Sequence, residues 1–193
     1  MDEKRRLILN AGVAIGAAAL VPGSALAEDG GFDPIPPIPA TPTAGKPGDF
    51  AFLDGEWRIR HRWLRNGSTT WDSFEGEATC WTILGGVGSV EELRIPARDF
   101  SGMGLRMLDV EKKVWSDFWV NAKSGVLTTP GQTGSFENGS GIFYTRDTED
   151  GKPAIYAGIW DRITSSACRW RQAASYDEGK TWAQSWIMDW TRA

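Results

Sequence analysis

Between Gly55 and Arg192 apolar and polar residues alternate in short runs, and clusters of turn residues separate the runs. The stretch WRIRHRW sets Trp57, Ile59, His61 and Trp63 on one parity and Arg58, Arg60 and Arg62 on the other. That period of two is the mark of a strand with one buried face. Turn signals fall at Asn66-Gly67, Gly85-Gly86, Glu111-Lys112-Lys113, Ser124-Gly125, Asn138-Gly139, Asp150-Gly151, Ser165-Ser166 and Glu178-Gly179. The pattern predicts ten strands, at 56–65, 69–83, 89–95, 103–109, 114–122, 133–136, 140–147, 153–161, 167–175 and 181–192. Consecutive strands joined by short turns make an antiparallel up-and-down sheet. One this wide should close on itself, because open edges invite aggregation, so an all-β barrel of about ten strands is expected.

Tryptophan tests this reading, for the chain holds 11 Trp against 3 Tyr. Trp57 and Trp63, Trp71 and Trp81, Trp115 and Trp119, and Trp182, Trp186 and Trp190 are each separated by an even number of positions. Even spacing puts them on one face of a strand, and the wider gaps do not suit a helix. With Trp57 inward, alternation sends His61 and Trp63 inward as well. The same rule assigns Glu75, Trp115, Asp117, Trp119, Trp170, Gln184 and Trp186 to the lumen. Such a cup suits a small apolar or aromatic molecule, although large indoles can also fill a barrel and leave no cavity.

Composition divides the chain into three parts. Residues 1–27 read as an export signal, with Lys4, Arg5 and Arg6 before the apolar run Leu7 to Val21 and ALA at Ala25 to Ala27. The run is short for a membrane span, so no stable membrane insertion is expected after cleavage, and KRRLILN resembles a twin-arginine signal. A periplasmic or secreted protein follows from this reading. Residues 28–48, rich in Pro and Gly, are expected to be a disordered linker, and 49–193 the barrel domain. Formal net charge is −4, and loss of a leader carrying one net positive charge leaves −5, which disfavours a nucleic-acid partner. If Trp81 and Trp170 both face inward, Cys80 and Cys168 point opposite ways, which argues against a disulfide. One His and two Cys make a closed zinc site improbable, and no metal or other cofactor is expected.

SYDEGKTW, from Ser175 to Trp182, matches a box found in sialidase-like propellers. A propeller needs several four-stranded blades, so a single box here reads as a turn. Asp177 would bond across the bend, Gly179 would take the left-handed conformation, and Trp182 would fold over the loop. Gly55-Glu56-Trp57 resembles the Gly-x-Trp that opens the first strand of lipocalins and other calycin barrels. In that superfamily an Arg of the last strand packs over the Trp ring, which the resemblance assigns to Arg192 in WIMDWTR. DFAFLDGEWRIRHR, SFEGEATC, LGGVGSVEEL and DEGKTWAQSWIMDWTR together resemble a bacterial lipocalin-like family catalogued as a domain of unknown function, number fifteen-seventy-nine. The resemblance implies the barrel and no particular reaction.

The candidate chemistry is sparse. His61 is the single histidine and could serve as a general base with Asp117 or Glu75, or ligate a haem iron. Three readings follow: a non-enzymatic carrier or sensor of a small apolar or aromatic molecule, a barrel isomerase or hydrolase, and a packed module without ligand. Pairing into a homodimer is open. The stretch Pro96 to Gly104 is a candidate lid, with Phe100 as its plug.

Overall fold

The computed structural model describes residues 33–42, 44–65, 68–149 and 151–193. Ten strands follow one another: β1 (Gly55–Leu64), β2 (Trp71–Ile83), β3 (Gly88–Ile95), β4 (Phe100–Asp109) and β5 (Val114–Asn121). The second half comprises β6 (Gln132–Glu137), β7 (Ser140–Glu149), β8 (Lys152–Asp161), β9 (Ala167–Ser175) and β10 (Ala183–Arg192). Each pairs antiparallel with the next, and β10 returns to β1, closing an up-and-down barrel with no free edge. The expected all-β barrel is thus the observed one. Its hairpins use the expected turn chemistry: Asn138 and Gly139 take φ of 51° and 78°, the pair of positive values that a two-residue hairpin needs.

Register decides which side chains meet inside. Trp57, Ile59, His61 and Trp63 of β1 face Arg192, Trp190, Met188 and Trp186 of β10. On the other side they face Ala78, Gly76, Phe74 and Asp72 of β2. The inner parity of β2 is therefore even, which corrects the inward placement of Glu75. Glu75 lies opposite Arg60 on the outer surface and is exposed. Trp71 and Trp81 share that outer face, and Trp81 keeps 46% of its surface in solvent. Even spacing holds them together but does not say on which side. Cys80 then turns inward, as does Cys168 opposite Trp190, so the two sulfurs do not point to opposite faces. Both are buried free thiols.

A second correction comes from β10, whose pairing with β9 slips between Gln184 and Trp186. This bulge resets the parity, so Trp186 and Trp190 face inward while Gln184 faces outward. Gln184 accepts a hydrogen bond from Arg171 Nη1 at 3.2 Å on the outer wall. Trp182 packs outside too, against the cluster of Ile142, Tyr144, Ile155, Ala157, Ile159 and Ala173. Its ring still reaches the turn, lying 3.7 Å from where a Cβ on Gly179 would sit. In that turn Asp177 accepts from the amide and hydroxyl of Thr181 at 2.8 and 2.7 Å, and Gly179 has φ of 88°. These bonds hold the Asp177 carboxyl down at about 2.

One end of the barrel is plugged. The chain before β1 turns through Ala51–Leu53 and inserts Phe50 and Leu53, both essentially without solvent contact. Phe50 meets Trp115 edge-on at 5.0 Å and Phe136 at 4.9 Å. Trp57 Nε1 donates to Leu53 O at 2.6 Å, and Trp115 Nε1 to Asp49 at 3.1 Å. Across the mouth of this end, Arg192 lies 4.0 Å above the Trp57 ring and donates to Phe52 O at 2.8 Å. That is the contact implied by the calycin resemblance, a cation over an indole face.

Leader residues 1–27 lie outside the described residues. Residues 33–42, expected as part of a disordered linker, instead lie along the outer wall of β7 to β9. Ile35 and Ile38 pack on the Ile142–Ile159 cluster, and Pro39 O accepts from the Tyr144 hydroxyl at 2.7 Å. Asp33 pairs with Arg162 at 2.7 Å and Arg169 at 2.5 Å. Under this arm, Arg169 and Arg171 are each 1% exposed and share Asp161, at 2.7 and 2.6 Å. Ile35 and Ile38, the Asp33 ion pairs and the Tyr144 hydrogen bond dock the segment, and proline lowers the entropy lost on ordering.

Candidate functional site

The end opposite the plug is open. Glu91 on β3, Arg106 on β4 and Asp117 on β5 all project inward; Arg106 and Asp117 are direct cross-strand neighbours, and Glu91 faces Gly104. Glycine at 104 leaves room for the guanidinium, since a Cβ there would sit 3.1 Å from Arg106 Nη2. Arg106 donates from Nη2 to the Glu91 carboxylate, while its Nε is 3.5 Å from Asp117 Oδ1. The Phe50 and Trp160 rings lie against the guanidinium, at 5.1 and 5.3 Å. Arg106 and Glu91 are 4% and 3% exposed.

This arrangement sets the charges. Burial opposes the cation on Arg106, but the Glu91 and Asp117 carboxylates hold it firmly protonated. Asp117 is pushed up to about 6 by burial; Arg106 pulls against that shift and Glu91 adds to it. Its side chain retains 18% exposure, more than either partner.

Above this floor lies a cavity of about 280 Å³. Trp119, Trp170 and Trp186 contribute its walls, with Gln132 and Gln172 among them. Trp170 stands edge-on to Trp186 at 6.1 Å, and Phe100 stacks on Trp119 at 6.3 Å. Gly158 makes space below Trp170, where a Cβ would approach the indole nitrogen to 3.1 Å. The segment Thr128 to Gly131 supplies a wall that no strand provides, and Arg146 and Asp147 stand at the rim.

The residues singled out from sequence are divided by this geometry. Asp117, Trp119, Trp170 and Trp186 line the cavity together. Trp115 belongs to the plug, at 1% exposure. Trp63 stands half-buried beside Trp186, with Arg65 over its ring at 5.6 Å. Glu75 and Gln184 are outside the barrel. His61 is fully buried and is not part of the cavity wall. Its Nδ1 accepts from Trp186 Nε1 at 3.1 Å, and its ring stacks on Phe74 at 4.8 Å and 9°. The proton of the neutral ring then sits on Nε2, which faces Gly76 so closely that a Cβ there would be 2.5 Å away. Burial lowers its pKa to about 4. His61 therefore has no open nitrogen for a haem iron, and it does not join Asp117 or Glu75 as a base.

Arg106, Glu91, Gln132 and Gln172 were not singled out from sequence. Arg106 shares parity with Gly102, Gly104 and Leu108, and a lone arginine on the small and apolar side of a strand was the available signal. The candidate lid from Pro96 to Gly104 is a short 3-10 turn, Pro96–Arg98, followed by the start of β4.

No protein-family model matches the chain, and no curated protein does. Among solved structures it is similar to a protein of unknown function of the DUF3598 family from Nostoc punctiforme, with 12% identity and a TM-score of 0.43. The match covers 80% of this chain and 53% of that one, so the chain spans about half that protein's length.

Proposed function

We propose that the barrel is an exported carrier or sensor that holds one small, largely apolar or aromatic molecule in its open half. The supporting observation is the cavity of about 280 Å³, walled by Trp119, Trp170 and Trp186 over the Asp117 carboxyl group. Indole faces give broad apolar contact at low entropic cost, and sparse polar groups orient the ligand, which is the usual make-up of a small-molecule pocket. The carrier reading is preferred to an enzyme because the single histidine is sealed in the wall.

The test is titration of the mature protein with a panel of small lipophiles, followed by intrinsic tryptophan fluorescence. A saturable change with one-site stoichiometry is expected, and Trp119→Ala should weaken binding about tenfold by removing one indole wall. A flat response across the panel would leave the pocket without a ligand of this class. Export is checked separately by sequencing the N-terminus of the secreted or periplasmic protein, with Glu28 expected first.

A further inference from the structure

The carrier reading leaves the polar end of the ligand undefined, and the floor of the cavity is where such an end would be read. Its three charged groups are not equivalent. Arg106 is committed downward, bonded to Glu91 and packed between Phe50 and Trp160, with 4% of its side chain exposed. Glu91 lies equally deep. Asp117 reaches up, with 18% exposure, and its one neighbouring donor is Arg106 Nε at 3.5 Å, too long for a good hydrogen bond. Its outer lone pairs face the cavity without a donor among the described residues.

Charge points the same way. With both carboxylates ionised, Glu91, Arg106 and Asp117 sum to one negative charge, and at the rim Arg146 and Asp147 offset each other. An anion entering the cavity meets the partly exposed Asp117 carboxylate while the guanidinium stays buried beneath it. An ammonium group meets that carboxylate and the faces of Trp119, Trp170 and Trp186, which attract cations. A cation taken out of water needs such a partner, because an unpaired buried charge is costly.

We infer that the cavity selects a protonated amine carried on a flat apolar or aromatic body, Asp117 taking the ammonium group and the indoles the carbon frame. This rests on the carrier reading and sharpens it. The charged groups around Asp117 are Arg106 from β4 and Glu91 from β3, with Arg146 and Asp147 of β7 on the same cavity; β6 contributes the neutral Gln132. Burial holds Asp117 up at about 6, against Arg106 and with Glu91, so a bound cation favours its ionised form. Amine affinity should therefore fall as pH drops through that value.

The experiment is calorimetric titration of the mature protein with three probes that share one ring system: 1-naphthylmethylamine, 1-naphthylmethanol and 1-naphthylacetate. The amine is expected to bind at least tenfold more tightly than the alcohol, and the carboxylate most weakly. Asp117→Asn should erase the amine's advantage over the alcohol, while saturable binding of the alcohol and an unchanged circular dichroism spectrum report that the variant is folded. In the wild type, amine affinity should drop about tenfold between pH 7.5 and pH 5 and the alcohol's should not. A carboxylate that binds best, or an amine preference that survives Asp117→Asn or is flat with pH, overturns the inference. The carrier reading survives that result if the alcohol binds. Failure of all three probes overturns both.

Discussion

His61, fully buried, and Asp117, partly buried, are shifted in opposite directions, and their effects on stability should oppose each other. Asp117 sits at about 6 when folded against an ordinary 3.8, so its contribution is full below pH 3.8 and is lost as pH rises through 6. His61 sits at about 4 against 6.5, so its contribution is full above pH 6.5 and is lost as pH falls through 4. The two windows nearly coincide. Between pH 6.5 and pH 4 the wild type should therefore change little in stability through these two groups, each worth up to about 3 kcal/mol. Removing either one exposes the other. Asp117→Asn should lose stability on acidification over this range, and His61→Gln should gain it, in urea unfolding at half-unit steps of pH. Below pH 4 every form should weaken as Asp33 and Asp177, held low by their hydrogen-bond partners, take up protons. A His61→Gln variant with the same pH profile as the wild type would mean that the buried imidazole is already protonated. The inward placement of both residues was legible from alternation alone. Their environments were not, because burial and the Glu91–Arg106 pair below Asp117 depend on which strands are neighbours.

At the scale of elements, period-two alternation located all ten strands, and it failed where parity has no local anchor. Trp71 and Trp81 do share a face, but only pairing with β1 fixes it as the outer one and carries Glu75 out with them. Trp182 and Gln184 were misplaced because a bulge costs one residue and leaves no mark in composition. The arm was missed for a different reason: its prolines read as disorder, whereas Ile35 and Ile38, three apart, match the three-residue turn of an extended proline-rich helix and present one side to the barrel. That arm covers two buried arginines, and its contribution can be measured. Starting the mature chain after Pro42 should lower stability by about 2–4 kcal/mol, from the apolar surface of two isoleucines and the lost Asp33 contact. Asp161→Ala in the full chain should cost about 3–5 kcal/mol, since it leaves Arg169 and Arg171 buried with their shared carboxylate gone. In the shortened chain the same substitution should cost clearly less, because water then reaches both guanidiniums. Urea unfolding of the four proteins gives this coupling directly, and strict additivity would show that the arm does not seal the pair.

Across the whole molecule, the closed cylinder has one firm end and one thin seam. Around the plug, Phe50, Leu53, Trp57, Trp160 and Trp190 are each at most 2% exposed. On the far side, β5 and β6 pair only from Trp115 opposite Gly134 to Asp117 opposite Gln132, whereas β4 and β5 pair from Gly102 opposite Asn121 to Asp109 opposite Val114. Past Asp117 the wall is continued by a loop, tied by a bridge between Val120 and Leu127 and by Thr128 N donating to Trp119 O at 3.1 Å. Thr128 to Gly131 also line the cavity, so the weakest part of the cylinder forms part of the cavity wall. Local opening there breaks few hydrogen bonds and exposes little packed surface, which makes it the low-energy opening of the fold. Amide exchange should accordingly be fastest over residues 118–131 and slowest around the plug strands β1 and β10. If molecules enter through this seam, ligand at a hundredfold excess over its dissociation constant should slow exchange in 118–131 by up to about a hundredfold, because each opening must first release it. Protection appearing instead along β1 and β10, with 118–131 unchanged, would place entry at the plugged end and would require Phe50 and Arg192 to move.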